Sequence, residues 1–316
     1  MDQQLLNWPV MTDRSKVWRK FFTGRNGLRA GWRMVIFFVL FLCAAYLATR
    51  LTGVLQSYRP AEHGTRLEVV SLMAPLAVAL LLVSGLMAKF ERRSLAQYGL
   101  PLALAFRKQF WIGAMVGFLS LTALVFTLHM FGALSLARGD LTPGKVVLSG
   151  AAWLVPAFLG ALVEDFFYRG YFLFTLTTGI GFWPAAAVSS LWMGGMHYLN
   201  PGGHGLGPAS ALAYCLVTCL LLRRTGNLWM PLGVHSAWNW GEMYFYGTLD
   251  SGFRTHSHLF AASQQGPAWL SGGLFGPEAS VLIFVMFGIW WLGFSKLLPE
   301  KKYPLCSTVP PRFART

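Results

Sequence analysis

Val163-Glu164-Asp165-Phe166-Phe167-Tyr168-Arg169-Gly170 sets two carboxylates and a guanidinium inside an otherwise apolar run, with no charge in residues 154–162 before it or 171–176 after it. A charged side chain at the centre of a membrane helix costs roughly 2.5–3.5 kcal/mol on insertion scales, so three of them together need partners or a purpose. Asp165 and Arg169 stand at i and i+4 with the acid first, the better-oriented arrangement for an ion pair on one helix face. Glu164 is left without a local partner.

Composition identifies the solvent around this stretch. Of 316 residues, 55% are hydrophobic and 12% charged, with a mean hydropathy of +0.49, whereas soluble domains carry about 25% charged residues. The expected fold class is therefore all-α: a polytopic transmembrane helical bundle with the lipid bilayer as its first partner. The net charge of +14 does not argue for nucleic acid, because a chain this apolar keeps its Lys and Arg in cytoplasmic loops. Cys43, Cys215, Cys219 and Cys306 have no CxxC spacing and read as buried thiols.

Residues 1–33 hold seven Lys and Arg, too long and basic a lead for a cleavable signal peptide, and read as a cytoplasmic arm. Apolar runs follow at about 34–51, 67–88, 109–133, 146–177, 182–199, 207–222, 229–247 and 278–298, which predicts about eight spans. With the N-terminus inside, the inner segments hold nineteen basic residues and the outer loops six, so both termini are expected in the cytoplasm. The fourth run exceeds what the bilayer needs and predicts a tilted or kinked helix. The division expected is the arm, three accessory helices over 34–133, a main membrane core over 146–298 that holds the intramembrane charges, and a disordered, proline-bearing tail over 299–316.

Two further polar groups of residues lie in apolar spans downstream. Trp192-Met193-Gly194-Gly195-Met196-His197 closes the fifth span with one ionisable side chain. Gly226-Asn227-Leu228-Trp229-Met230-Pro231-Leu232-Gly233-Val234-His235-Ser236-Ala237-Trp238-Asn239 reads as a turn into a helix, on which His235 and Asn239 share a face. Counting residues sets His197 near the outer end of its span and His235 near the inner end of its own, so convergence requires tilt, a kink or a re-entrant segment. Taken singly, each histidine fits an interhelical hydrogen bond and Glu164 fits a proton relay. The order of the three, on separate spans, favours a shared site.

In that order and spacing the chain resembles the CPBP or Abi family of CAAX prenyl proteases and bacteriocin-processing enzymes, which carries EExxxR, FxxxH and HxxxN on successive membrane helices. Here the motifs read Glu164-Asp165-x3-Arg169, Met193-x3-His197 and His235-x3-Asn239. The resemblance covers about residues 146–247. Asp165 replaces the second glutamate, and Met193 replaces the aromatic residue.

The resemblance implies a membrane-embedded endopeptidase, one of a family with bacteriocin-immunity members, acting on a membrane-associated protein or peptide in a bacterial inner membrane. Glu164 and His197 would activate a water, His235 and Asn239 would hold the oxyanion, and Asp165 with Arg169 would brace the helix. No cofactor is favoured. A zinc alternative would use Glu164, His197 and His235 as ligands, but it leaves no free carboxylate as base, since the HExxH arrangement is absent. A non-catalytic membrane scaffold of the same fold and, after it, a proton-coupled transporter are the competing readings. His63, His129, His204, His256 and His258 read as loop or interfacial residues, with His204 in a Gly-rich hinge near the mouth of the site.

Overall fold

The computed structural model of the chain describes residues 18, 20–24, 27–53, 64–139, 141–300 and 303. Most of the expected disordered tail and most of the basic arm lie outside the described residues; within the tail, Glu300 pairs with Arg223 and Tyr303 is buried, so its first residues pack against the bundle.

Each of the eight apolar runs holds a helix. They are α1 (Ala30–Thr52), α2 (Arg66–Glu91), α3 (Lys108–Met130), α4 (Val146–Phe166) continuing through a wide turn into α5 (Phe172–Ile180), α6 (Phe182–His197), α7 (Leu206–Thr225), α8 (Trp229–Trp240) and α9 (Leu282–Leu297). Among the described residues, five segments are long and apolar enough to cross a membrane: α1, α2, α3, the composite Pro143–Ile180 and α7. The other three runs form shorter helices. At 1.5 Å per residue, the 16 residues of α6 cover about 24 Å, less than the roughly 30 Å hydrocarbon core, so α6 can end inside the bilayer. The protein is an integral membrane protein built as a helical bundle.

Two small antiparallel sheets among the described residues depart from the all-α plan: a two-residue pairing of Thr23–Gly24 with Gly27–Leu28 before α1, and a longer one after α3. β1 (Leu134–Arg138) pairs antiparallel with β2 (Phe260–Gln264), Leu134 opposite Gln264 and Arg138 opposite Phe260. It ties the end of α3 to the long connection between α8 and α9. Five-residue strands are too short to carry a decisive alternation signal against apolar surroundings.

Two junctions position the site. In the first, α3 and α8 pack with their backbones almost touching. A Cβ built on Gly113 would meet the Met230 carbonyl oxygen at 2.2 Å, one on Gly117 the Val234 carbonyl oxygen at 2.1 Å, and one on Gly233 the Phe110 carbonyl oxygen at 2.0 Å. Lipid supplies no hydrophobic drive between helices, so close van der Waals approach through small residues is what holds such a pair. The start of α8 is pinned as well. The Leu228 N–H donates to the Gly99 carbonyl (2.8 Å), and Trp229 Nε1 donates to the Pro101 carbonyl (2.8 Å).

In the second junction, α1 and α2 are fastened to α5 at the basic end of the bundle. Glu91 accepts from Arg33 Nη1 at 2.8 Å and from the Tyr171 hydroxyl at 2.6 Å, while Arg33 Nη2 donates to Thr178 Oγ1 at 2.6 Å. Partly buried charges earn stability when they are hydrogen-bonded this fully.

Leucine in place of Gly117 forces α8 away from α3, an overpacking that costs about 1–3 kcal/mol. The expected outcome is a lower thermal midpoint in detergent for Gly117→Leu and little change for Gly85→Leu, because nothing lies within 4 Å of a Cβ at Gly85.

Candidate active site

The first motif sits where α4 gives way to α5. Residues Phe167–Tyr171 form one wide π-type turn, and Gly170 has φ −87° and ψ −113°, outside helical values. A Cβ on Gly170 would lie 2.5 Å from the Phe166 ring, so the turn needs glycine there. Such turns carry an extra residue and release backbone groups from the helical ladder. The Tyr168 carbonyl is taken by the Ser189 hydroxyl of α6 at 2.7 Å.

Asp165 and Arg169 are both fully buried, and Arg169 Nη2 donates to Asp165 Oδ1. The guanidinium also contacts Met193 Sδ (3.7 Å) and lies 5.4 Å from the centre of the Tyr214 ring. Met193, standing where the resemblance expects an aromatic ring, thus presents a polarizable thioether to a buried cation. The pair also reaches beyond its own helix. The same Asp165 oxygen accepts from His235 Nδ1 on α8 at 2.9 Å.

That bond fixes the tautomer of His235. A carboxylate only accepts, so Nδ1 bears the hydrogen and Nε2 faces the other way. His197 is set by similar logic: its Nδ1 lies 2.9 Å from the Met193 carbonyl, four residues back along α6. The ring therefore folds back along its helix by a turn, as side-chain direction on a helix favours. This narrows the difference in depth that residue counting gives.

The two Nε2 atoms then converge on one carboxylate. Glu164 Oε2 lies 4.0 Å from His197 Nε2 and 3.9 Å from His235 Nε2. Both histidines are 8% exposed, while the Glu164 side chain is 35% exposed and faces a cavity of about 440 Å³. Asn239, one turn beyond His235, lines the same cavity, and its Oδ1 is buried with no hydrogen-bond partner. Leu72 and Met73 of α2, with Phe275 and Phe287 from beyond α8, give the cavity apolar walls.

The remaining histidines stay apart. His204 packs edge-on against Tyr198 with ring centres 5.0 Å apart, His129 Nδ1 meets the Leu134 carbonyl, and His258 Nε2 meets the Thr255 carbonyl. His63 is outside the described residues.

Sequence reasoning missed several cavity residues. Tyr214, whose ring centre is 5.3 Å from that of His235, lies on α7 between Ser210 and Thr218, and all three recur at a spacing of four in an apolar helix. That polar stripe was a usable signal. Asp250 and Glu278 also border the cavity. In a chain with only 12 Asp and Glu, each of these was conspicuous.

Arg169→Met leaves Asp165 buried without its guanidinium and is expected to cost about 3–5 kcal/mol, the usual range for breaking a buried pair. Adding Asp165→Asn is expected to restore most of the thermal midpoint, because both charges are then gone and the asparagine carbonyl still accepts from His235 Nδ1.

No curated protein matches the chain at a significant level. Residues 147–241 match the family model described as type II CAAX prenyl endopeptidase Rce1-like. The matched segment runs from the start of α4 to the residue after α8 and contains Glu164, Asp165, Arg169, His197, His235 and Asn239. Three motifs on three helices, brought to one cavity, together with this match identify residues 147–241 as an Rce1-like domain of the CAAX protease family.

Proposed function

We propose that the protein is an intramembrane endopeptidase that hydrolyses a peptide bond in a membrane-associated protein or peptide. The observation that carries this reading is the approach of one cavity-facing carboxylate to two imidazole Nε2 atoms at 3.9 and 4.0 Å. A water hydrogen-bonded to a carboxylate and an imidazole at about 2.8 Å each sets them roughly 4 Å apart when the angle at the water is near 90°.

In this mechanism Glu164 and His197 hold that water, and its oxygen attacks the substrate carbonyl carbon as Glu164 takes the proton. The carbonyl oxygen becomes an oxyanion, which accepts hydrogen bonds from the Asn239 amide and from His235 Nε2 when that ring carries its second proton. Asp165, held by Arg169, keeps His235 oriented from the far side. Glu164 then returns the proton to the leaving nitrogen, the C–N bond breaks, and a carboxylic acid and an amine form, the acid's proton passing to the amine so that a carboxylate and an ammonium are released.

Zinc is the competing arrangement. Ligands around a tetrahedral zinc at 2.0–2.1 Å stand about 3.3 Å apart, and the observed 3.9 and 4.0 Å exceed this. The spacing favours the water mechanism without a metal.

The apolar walls suit a hydrophobic peptide segment or tail reaching the cavity from within the bilayer. The basic residues gathered in the inner loops fit both termini in the cytoplasm, and the setting we infer is a bacterial inner membrane, where a bacteriocin-processing or immunity role is expected and prenylated substrates are not.

The test compares peptide termini in membrane fractions from cells carrying the wild type or Glu164→Gln. New termini present only with the wild type, at equal membrane abundance, support the enzyme; a Glu164→Gln form that retains both the termini and the biological role sinks it. Once a substrate is found, Asn239→Ala is expected to lower its cleavage rate about 100- to 1000-fold. Cleavage is also expected to withstand chelators of zinc.

A further inference from the structure

Outside the matched domain a second group of acids converges. Glu242 lies in a π-type turn, Gly241–Tyr246, that extends α8; Asp250 lies in the connection after it; and Glu278 lies in the short turn Pro277–Ala279 before α9. One oxygen from each falls within 4.8 Å of the others. Three segments distant in sequence thus aim carboxylates at one point, beside the cavity that Asp250 and Glu278 also line.

Proximity of acids alone would carry nothing. The telling residue is Glu242, which is 0% exposed and has both carboxylate oxygens buried without a hydrogen-bond partner; the Trp238 indole N–H approaches the carboxylate but does not reach hydrogen-bond geometry. A buried carboxylate is normally paired, protonated or bound to metal, because its desolvation is otherwise uncompensated. Glu278 is held as an acceptor: its Oε2 receives the Ser251 backbone N–H at 3.0 Å and the Ser251 hydroxyl at 2.5 Å. Like charges this close cannot all ionise unless something positive lies between them. No salt bridge to a Lys or Arg is found for any of the three among the described residues.

We propose that Glu242, Asp250 and Glu278 bind one hard divalent cation, of calcium size, at the rim of the catalytic cavity. All three donors are carboxylate oxygens, the ligand type of calcium and magnesium rather than of zinc or copper. Calcium takes oxygen ligands at about 2.3–2.6 Å in flexible geometry, which accommodates three carboxylate oxygens within 4.8 Å of one another, whereas magnesium demands near-octahedral ligands and usually keeps several waters. The ion would clasp the wide turn after α8 to the segments that roof the cavity. That roof is already stitched to the end of α6 by Asn200 Nδ2 donating to the Ser251 carbonyl, and internally by the Gly252 N–H donating to the Phe275 carbonyl.

The experiment uses the full chain in detergent, stripped with a chelator and then titrated with calcium chloride by calorimetry, with the thermal midpoint recorded in parallel. One saturable site per chain and a raised midpoint are expected. Glu242→Gln and Asp250→Asn should each weaken binding at least tenfold, and Glu164→Gln should leave it unchanged. Should Glu242→Gln fail to fold, Asp250→Asn, on a loop residue only partly buried, carries the comparison. The proposal is overturned by no saturable binding to the wild type, as expected if the three acids merely share protons. It is overturned equally by binding that survives both rim substitutions, or by binding lost in Glu164→Gln, which would put the ion on the histidine pair instead.

Discussion

The Asp165 carboxylate is the charge on which the bundle interior depends. It is fully buried and its Oδ1 serves both the Arg169 guanidinium and His235 Nδ1. Carrying Arg169 into hydrocarbon would be prohibitive without this partner. Because the same oxygen also holds an imidazole on another helix, the ion pair does more than neutralise itself. It fixes how α8 is rotated relative to α4, and so which ring nitrogen faces Glu164.

That electrostatic clamp requires backbone shapes that ordinary helices lack. The wide turn at Phe167–Tyr171 depends on Gly170, whose missing Cβ makes room for the Phe166 ring. The glycines facing each other across α3 and α8 let two backbones approach to a distance any larger residue would forbid. A second wide turn, Gly241–Tyr246, follows α8 directly. It is fastened back to the start of α4 through the Tyr244 hydroxyl, which donates to the Val146 carbonyl at 2.6 Å. Irregular helical turns thus lie next to both ends of the site, where freed backbone groups are satisfied by side chains instead of water.

Helices outside the motif-bearing core also shape the site. Leu72 and Met73 of α2 form part of the cavity wall, and α3 sets the position of α8. Thr65 caps α2 through a reciprocal pairing with Glu68, whose backbone N–H donates to Thr65 Oγ1 while its carboxylate accepts from the Thr65 N–H. Glu68 itself borders the cavity. The cap therefore sets where α2 begins relative to the site.

The sequence by itself determined the solvent, the helical class and the identity of the motif residues. Apolar runs of about 20 residues and rare intramembrane charges leave few alternatives once water is absent. It also marked Glu164 as the carboxylate without a local partner, since Arg169 is within reach of Asp165 on the same face. What it could not supply was depth, rotation and the long connection. Residue counting assumes straight helices spanning the whole bilayer, whereas α6 is short, α4 opens into a wide turn, and the His197 ring folds back toward Met193. Only tertiary packing brought the two Nε2 atoms to Glu164, turned Asp165 toward His235, and gathered Glu242, Asp250 and Glu278 from segments with no shared motif. Local periodicity reports which face of a helix is polar. It carries no information about which other helix that face will meet, because that is decided by side-chain volume and backbone approach across the bundle.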